Sequence, residues 1–319
     1  MRFLITGIHG FAGRHLAACL LDLGFEVCGF GHESNATGDG PPPGPPLPQD
    51  RLAVGDVRDP DSLAEAVSRF RPDGIFHLAG QSSVAAGEGA AAETFTVNSV
   101  GTLAVLSAAR RAGGGCRVLV VSSGECYGPA AGALPATEST PLRPMSVYAA
   151  SKSAAEILMR QAVDSHGADA VCVRPFNHTG RGQSSRFVCA SFARQVVAVE
   201  RGTQATLEVG RLDAVRDFLD VRDVVAAYVR LWQQGERGAV YNVASGQGRS
   251  VAQVLDDLCA AAGVRPRIEA AADRMRPADV PVLIGDATRV RALGWKPERA
   301  WRETIESLLD DWRARLPRA

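Results

Sequence analysis

Short runs of β-branched and other apolar residues alternate along the chain with longer stretches whose apolar positions recur every three to four residues. The runs at Arg2–Thr6, Glu26–Phe30, Arg51–Val54, Gly74–Leu78, Arg117–Ser122 and Asp169–Arg174 read as buried strands. Ala12–Leu23, Ser62–Phe70, Thr94–Ala112 and Val147–His166 read as the helices between them. This alternation predicts an α/β fold, a Rossmann-like doubly wound parallel sheet covered on both faces. Beyond about residue 175 the rhythm loosens. Shorter strands are expected at Thr206–Val209, Val240–Val243 and Arg267–Glu269, with helices at Arg186–Glu200, Val221–Gln234, Ser250–Ala262 and Thr304–Arg315. The expected division is a Rossmann domain over 1–174, also receiving about 212–242, and a smaller, partly interleaved α/β lobe over 175–319. The Gly/Pro-rich stretch 38–48 interrupts the pattern and reads as a solvated loop or as a polyproline ligand for a proline-reading domain.

Composition narrows the function classes. The 319 residues carry 35 Lys+Arg against 35 Asp+Glu, and this balance argues against a nucleic-acid partner. No stretch reaches ~18 uninterrupted apolar residues, so no membrane span is expected. The opening residues lack the pattern of a signal peptide. Seven scattered cysteines without a CxxC pair predict reduced thiols in the cytoplasm, with neither disulfides nor a zinc site, and the six histidines show no ligand spacing.

The first strand runs into Gly7-Ile8-His9-Gly10-Phe11-Ala12-Gly13, a strand–glycine turn–helix passage. Gly7 permits the tight turn, Gly10 lets the backbone approach a pyrophosphate, and Gly13 lets the helix pack against the sheet. The helix start, with Phe11 and Ala12, offers free N–H groups and a positive dipole end to phosphates. A dinucleotide coenzyme is therefore expected. The second strand ends Phe30-Gly31-His32-Glu33, with no acid at its tip for a ribose 2′-hydroxyl. His32 is placed to touch a phosphate, so the reading leans to NADPH with NADH left open. Asp56, next to Val57 after the third strand, is placed either to accept from the adenine amino group or to cap the next helix.

Only two lysines occur in the chain, Lys152 and Lys296, and one of them follows a tyrosine by four residues: Tyr148-Ala149-Ala150-Ser151-Lys152. That spacing puts phenol and ammonium on one helical face. The ammonium is expected to lower the Tyr148 pKa and make it a general acid near neutral pH. The fifth strand ends Ser122-Ser123-Gly124-Glu125, and carboxyl ends of parallel strands are where ligands bind. Ser123 can thus hydrogen-bond a substrate oxygen beside Tyr148, with Glu125 in the same turn.

The three glycines, the Ser123–Tyr148–Lys152 set, Asn98 before the fifth strand and Arg174-Pro175 ending the sixth resemble an extended short-chain dehydrogenase/reductase. The segments Arg174–Gln183, Val215–Asp223 and Arg276–Pro281 are most similar to those of GDP-4-keto-6-deoxy-D-mannose reductases, with GDP-mannose 4,6-dehydratases and other nucleotide-sugar reductases or epimerases as alternatives. The resemblance implies reduction of a GDP-linked 4-keto-6-deoxyhexose to GDP-D-rhamnose or its C4 epimer. Tyr148 would protonate the C4 oxygen, Lys152 would hold the coenzyme ribose and Ser123 would steer the carbonyl. Leu78, Ala79, Gly80, Val57 and Pro175 would add coenzyme contacts. Asn177 and Arg216 would meet the diphosphate, and Arg276 and Asp279 the diphosphate and nucleotide ribose, with Arg186, Ser82 and Ser83 among further substrate contacts. Glu125 stands where the dehydratases place a catalytic glutamate. Homodimerisation through a four-helix bundle is also implied, with Leu158, Met159 and Val163 forming core and dimer face. One departure is Arg181, where the relatives carry proline; its guanidinium would meet phosphate or solvent.

Overall fold

The computed structural model describes residues 1–32, 47–82, 89–113, 115–131, 135–271 and 280–317. Most of the 38–48 stretch, together with Ser83, Arg276 and Asp279, lies outside the described residues.

The chain begins β1 (Arg2–Thr6), α1 (Phe11–Asp22), β2 (Glu26–Gly31), β3 (Leu52–Val54), α2 (Pro60–Phe70) and β4 (Gly74–His77). A helical run follows, α3 (Ala91–Phe95) and α4 (Gly101–Arg111) joined by a π-turn at Thr96–Val100. Then come β5 (Arg117–Val121), α5 (Val147–His166) and β6 (Ala170–Pro175). The second part holds β7 (Asn177–Thr179), α6 (Val188–Glu200), β8 (Thr206–Val209), β9 (Val215–Asp220), α7 (Val221–Gln234) and β10 (Val240–Val243). It ends with β11 (Gly248–Ser250), α8 (Val251–Ala262), β12 (Arg267–Ala270), β13 (Val282–Leu283), α9 (Thr288–Ala292) and α10 (Trp301–Arg315).

Seven strands form one parallel sheet in the order β10-β6-β5-β4-β1-β2-β3. Strand order reverses between β1 and β4, which opens a crevice at the carboxyl ends of the strands. The sheet is apolar on both faces, and Leu4, Ile5, Phe76, Leu119 and Val171 are fully buried. Trp232 from α7 meets Phe3 edge-on at 4.7 Å and sends its indole N–H to the Arg117 carbonyl. A second, mixed sheet joins β11, β9 and β13, with β7 against β9, and β12 pairs with β8. A separate apolar core lies among α6, α8 and α10, around Phe192, Val196, Leu255, Leu308 and Trp312.

Helix ends follow local chemistry. Ser146 caps α5 by accepting from the Ala149 N–H, and Gly167 closes it in the left-handed region (φ 70°). Ser250 and Gln253 form a reciprocal capping box on α8. The expected single helix over Thr94–Ala112 is instead interrupted by the π-turn, within which Asn98 is buried. Met159 and Val163 are buried in the core, whereas the outward apolar side chains are Phe95, Val100, Leu103 and Ile157. Met159 and Val163 thus take the core part expected of the Leu158–Met159–Val163 set.

Candidate functional site

The glycine turn is built from contacts that leave no room for side chains. Gly7 has φ 74°, and a Cβ there would lie 2.7 Å from the Ala79 nitrogen. A Cβ on Gly13 would lie 2.3 Å from the Gly7 carbonyl oxygen. The Gly10 N–H donates to that same oxygen at 2.9 Å, and no side chain caps α1. The first-turn N–H groups, with Phe11 and Ala12, thus face the crevice beside Leu78, Ala79 and Gly80. This cradle fits the pyrophosphate of a nicotinamide dinucleotide.

Asp56 binds the backbone N–H of Arg58 and its guanidinium at 2.5–3.0 Å, and that ion pair holds its carboxyl below the usual range. The cap of α2 is Asp59, which accepts from the Asp61 N–H. Val57 is buried, against Gly101.

Across the crevice, Ser146 starts α5 so that Tyr148 lies in its first turn and Lys152 one turn later. The Ser123 hydroxyl hydrogen-bonds the Tyr148 phenol. Ser123 also accepts from the Glu125 N–H at 3.2 Å, which fixes the turn leaving β5. The charge of Glu125 reaches Tyr148 and raises its pKa slightly. Lys152 is 7% exposed and donates to the Val121 carbonyl at 2.9 Å. A Cβ on Gly80 would come within 3.3 Å of its ammonium.

The expected lowering of the Tyr148 pKa by Lys152 is not what the structure gives. Burial pushes the phenol up, and the Ser123 hydrogen bond opposes this only in part. The lysine is engaged on the β5 backbone, and burial pushes it down to about 8. The phenol is therefore firmly protonated, as a general acid must be before reaction.

Asn98 holds these parts together. Its amide accepts from the Gln81 N–H at 2.9 Å, donates to the Gln81 carbonyl and donates to Ser151 Oγ at 2.8 Å. The segment after β4 is thereby tied to the helix bearing Tyr148 and Lys152. Neighbouring His77 bonds Thr6 and Thr102, and burial pushes it down to about 3. It is a neutral core residue.

Pro175 ends β6, and Asn177 lies two residues further, on β7. Arg216 lies on β9 beside β13, 7% exposed, with Nη1 on the Val215 carbonyl. Arg186 and Ser82 are exposed. Arg181 is largely open to solvent, its side chain 60% exposed; its guanidinium stands 3.6 Å from buried Asp311 of α10, and its carbonyl accepts from His15 Nε2 of α1 at 2.7 Å. Behind the site lie two further groups, Glu156, which sequence reading passed over, and Arg174, noted there only as part of the motif that ends the sixth strand. The first falls four residues after Lys152, the one available signal.

Among the described residues no cluster of His, Cys, Asp or Glu forms a metal site, all seven cysteines are free thiols, and no helix is long and apolar enough to cross a membrane.

The profile of the GDP-mannose 4,6 dehydratase family matches residues 4–308. The GDP-6-deoxy-D-mannose reductase of Pseudomonas aeruginosa is 39% identical over 318 residues, covering 99% of this chain and 98% of the relative. The structure of RMD from Pseudomonas aeruginosa complexed with NADPH superposes with a TM-score of 0.85, at 38% identity over 99% of each chain. Thermus thermophilus UDP-glucose 4-epimerase in complex with NAD gives 0.85 at 30% identity, covering 98% of this chain and 99% of that one.

Proposed function

We infer, since this chain belongs to the GDP-mannose 4,6 dehydratase family, that it is an NAD(P)H-dependent oxidoreductase acting on a nucleotide sugar. Its reaction is reduction of the 4-keto group of GDP-4-keto-6-deoxy-D-mannose to GDP-D-rhamnose or the C4 epimer. The observation that carries this reading is the Ser123–Tyr148 hydrogen bond with Lys152 one turn on, facing a cradle that only glycines fit.

The bound nicotinamide supplies the hydride. The protein supplies position and a proton. Ser123 orients the keto oxygen toward the Tyr148 hydroxyl. As negative charge develops on that oxygen, Tyr148 Oη gives up its proton. Burial keeps the phenol neutral until then. Lys152, charged below about pH 8, stabilises the resulting tyrosinate and offers N–H donors to the coenzyme ribose. Asn177, Arg216, Arg186, Ser82 and Ser83, with Arg276 and Asp279, are assigned to the GDP-sugar. Guanidinium groups from separate segments suit a diphosphate because each offers a planar fork of donors.

Phe95, Val100, Leu103 and Ile157 leave apolar area exposed on α3–α5, which supports a homodimer through a four-helix bundle. Seven free thiols support a reducing cytoplasmic setting.

Glu125, in the turn that carries Ser123, keeps one alternative in view, the 4,6-dehydratase, although an acid at this position suits a reductase as well and does not decide between them. The test supplies GDP-4-keto-6-deoxy-D-mannose and NADPH and follows loss of NADPH absorbance with formation of a GDP-6-deoxyhexose. No NADPH loss, together with conversion of GDP-mannose to a 4-keto sugar, would establish the dehydratase instead.

A further inference from the structure

Asn177 and Arg216, the residues assigned to the sugar diphosphate, come from two strands of the small mixed sheet, and the register of that sheet brings a third group to them. Side chains paired across neighbouring strands stand on the same face, and along one strand every second residue does. Asn177 of β7 pairs with Phe218 of β9, and Arg249 of β11 pairs directly with Arg216. Asn177, Arg216, Phe218 and Arg249 therefore share one face. Trp301, at the start of α10, agrees with this placement. Its ring lies 5.8 Å from that of Phe218, and the Arg249 guanidinium lies over it at 5.0 Å.

Arg249 is half-buried, and its backbone is fixed on both sides. Before it, buried Asp217 accepts the N–H groups of Ser245 and Gly246, each at 2.8 Å. After it, Ser250 opens α8 with its capping box. Stacking on the indole holds the plane of the guanidinium and leaves donors at its edge. Among the described residues those donors meet only the Gln247 amide oxygen, at 3.5 Å, the long limit of a hydrogen bond. The acids around it are engaged elsewhere. Asp217 alternates to the opposite face, Asp220 at the far end of β9 holds Arg222 and Thr304, and Asp257 of α8 accepts the Trp301 indole N–H at 2.7 Å. Like charges directly opposite each other across two strands are unfavourable. An anion between Arg216 and Arg249 would reverse that sign.

We propose that Arg249 is a further substrate-binding residue, which grips the diphosphate of the nucleotide sugar from the strand facing Arg216. The ligand chemistry is that of a nucleoside diphosphate. Its phosphoryl oxygens carry about two negative charges and accept from two planar forks of donors at once. Trp301 is the platform that keeps one fork ready. The proposal rests on the reading that this face receives a GDP-sugar, and its test separates the two.

Isothermal titration of the full-length protein with GDP reads the diphosphate contacts without the sugar or the chemistry. Arg249→Met keeps an apolar stem against Trp301 and removes the charge. It should weaken GDP binding about tenfold, the worth of one charge-assisted contact. NADPH affinity and melting temperature should stay close to those of the unaltered protein. Arg249→Lys, which keeps the charge without the fork, should lie between the two. Added salt should erode GDP binding less in Arg249→Met than in the unaltered protein, since one ionic contact is already gone. In turnover, KM for the GDP-sugar should rise with kcat little changed, the mark of binding that is uniform between ground and transition states. GDP affinity and salt dependence unmoved in Arg249→Met would overturn the assignment and leave Arg249 as a cover for Trp301. An equal loss of GDP and NADPH affinity, or a lowered melting temperature, would overturn it in favour of a structural role. Failure of the unaltered protein to bind GDP would overturn the substrate reading and the proposal with it.

Discussion

Glu156, one turn beyond Lys152 on α5, and Arg174, near the end of β6, form an ion pair of 2.6 Å in which both side chains are 6% exposed. Glu156 also accepts from the Ser122 hydroxyl, and Arg174 donates to the Tyr127 hydroxyl at 2.8 Å. Tyr127 in turn donates to Asn242 of β10 at 2.7 Å. The turn carrying Ser123 and Glu125 is thus anchored on both sides to charges that water does not reach. Removing one partner of such a pair leaves a buried charge alone, at about 3–5 kcal/mol. Glu156→Gln is expected to lower the denaturant midpoint accordingly, with the slope unchanged, and to reduce kcat because Ser123 loses its backing. A variant of wild-type stability would show that the pair contributes little.

Tyr148→Phe keeps the ring and removes the proton. Loss of a positioned general acid costs about 10²–10⁴ in rate. The expected result is that loss in kcat with NADPH affinity nearly unchanged, measured by steady-state turnover and by coenzyme fluorescence. A protein of this fold that only senses coenzyme would keep its binding response and have no turnover to lose. Ser123→Ala should cost less, since Tyr148 would still face the keto oxygen.

Lys152 gives a pH signature with a defined sign. Its pKa falls from 10.5 to about 8 because burial disfavours the ammonium. The alkaline limb of kcat/KM should therefore fall near pH 8. Stability moves the other way. Between about pH 8 and 10.5 the unfolded chain holds a proton at this residue that the folded one has released, so the Lys152 contribution improves as pH rises. Lys152→Met should lose turnover yet melt at a higher temperature than the unaltered protein at pH 7, with the gap narrowing above pH 8. A less stable Lys152→Met variant at pH 7 would contradict the burial cost.

The glycine cradle separates two effects that a motif alone leaves merged. A Cβ on Gly13 meets the Gly7 carbonyl at 2.3 Å, whereas one on Gly10 stands 3.1 Å from it. Gly13→Ala is expected to destabilise the fold by about 1–3 kcal/mol through overpacking. Gly10→Ala should cost less stability but still weaken coenzyme binding, since the backbone could no longer approach a pyrophosphate as closely. Thermal melting and NADPH titration together distinguish them. Equal melting temperatures for the two variants would count against this packing.

Much of this arrangement is written in local pattern. Val147–His166 is a helix in full because Ser146 and Gly167 mark both its ends, and the Tyr148–Lys152 spacing follows from that. The parallel strands are legible because both their faces are apolar. The interruption at Thr96–Val100 is not legible, since Asn98 is turned inward by Gln81 and Ser151 and not by any helix-breaking residue. β9 pairs with β7, β11 and β13, partners scattered from 177 to 283, and so has no local signature. The pairing of Glu156 with Arg174 and the placement of Arg181 against Asp311 are likewise tertiary facts.

The last of these placements makes a prediction of its own. The segment from Asn177 to Gln183 is pinned from two sides. His15 of α1 donates its Nε2–H to the Arg181 carbonyl, an atom that can only accept, and burial keeps the imidazole neutral. From α10, Asp311 accepts the Gly182 N–H at 2.8 Å and pairs with Arg315. Phe11, at the coenzyme helix start, stacks on His178 at 6.0 Å with an interplanar angle of 9°. The residue assigned to the sugar diphosphate, Asn177, therefore depends on a carboxylate more than 120 residues away for the position of its own segment. Asp311→Ala should release Gly182 and leave Arg315 without its counter-charge. The expected outcome is a rise of about tenfold or more in KM for the GDP-sugar, a smaller change in kcat, and NADPH affinity close to that of the unaltered protein. Asp311→Asn, which keeps an acceptor for Gly182, should recover part of the KM. Steady-state kinetics well below each variant's melting temperature make the comparison. A fall in kcat with KM unmoved would mean that the segment does not depend on Asp311 for holding the diphosphate.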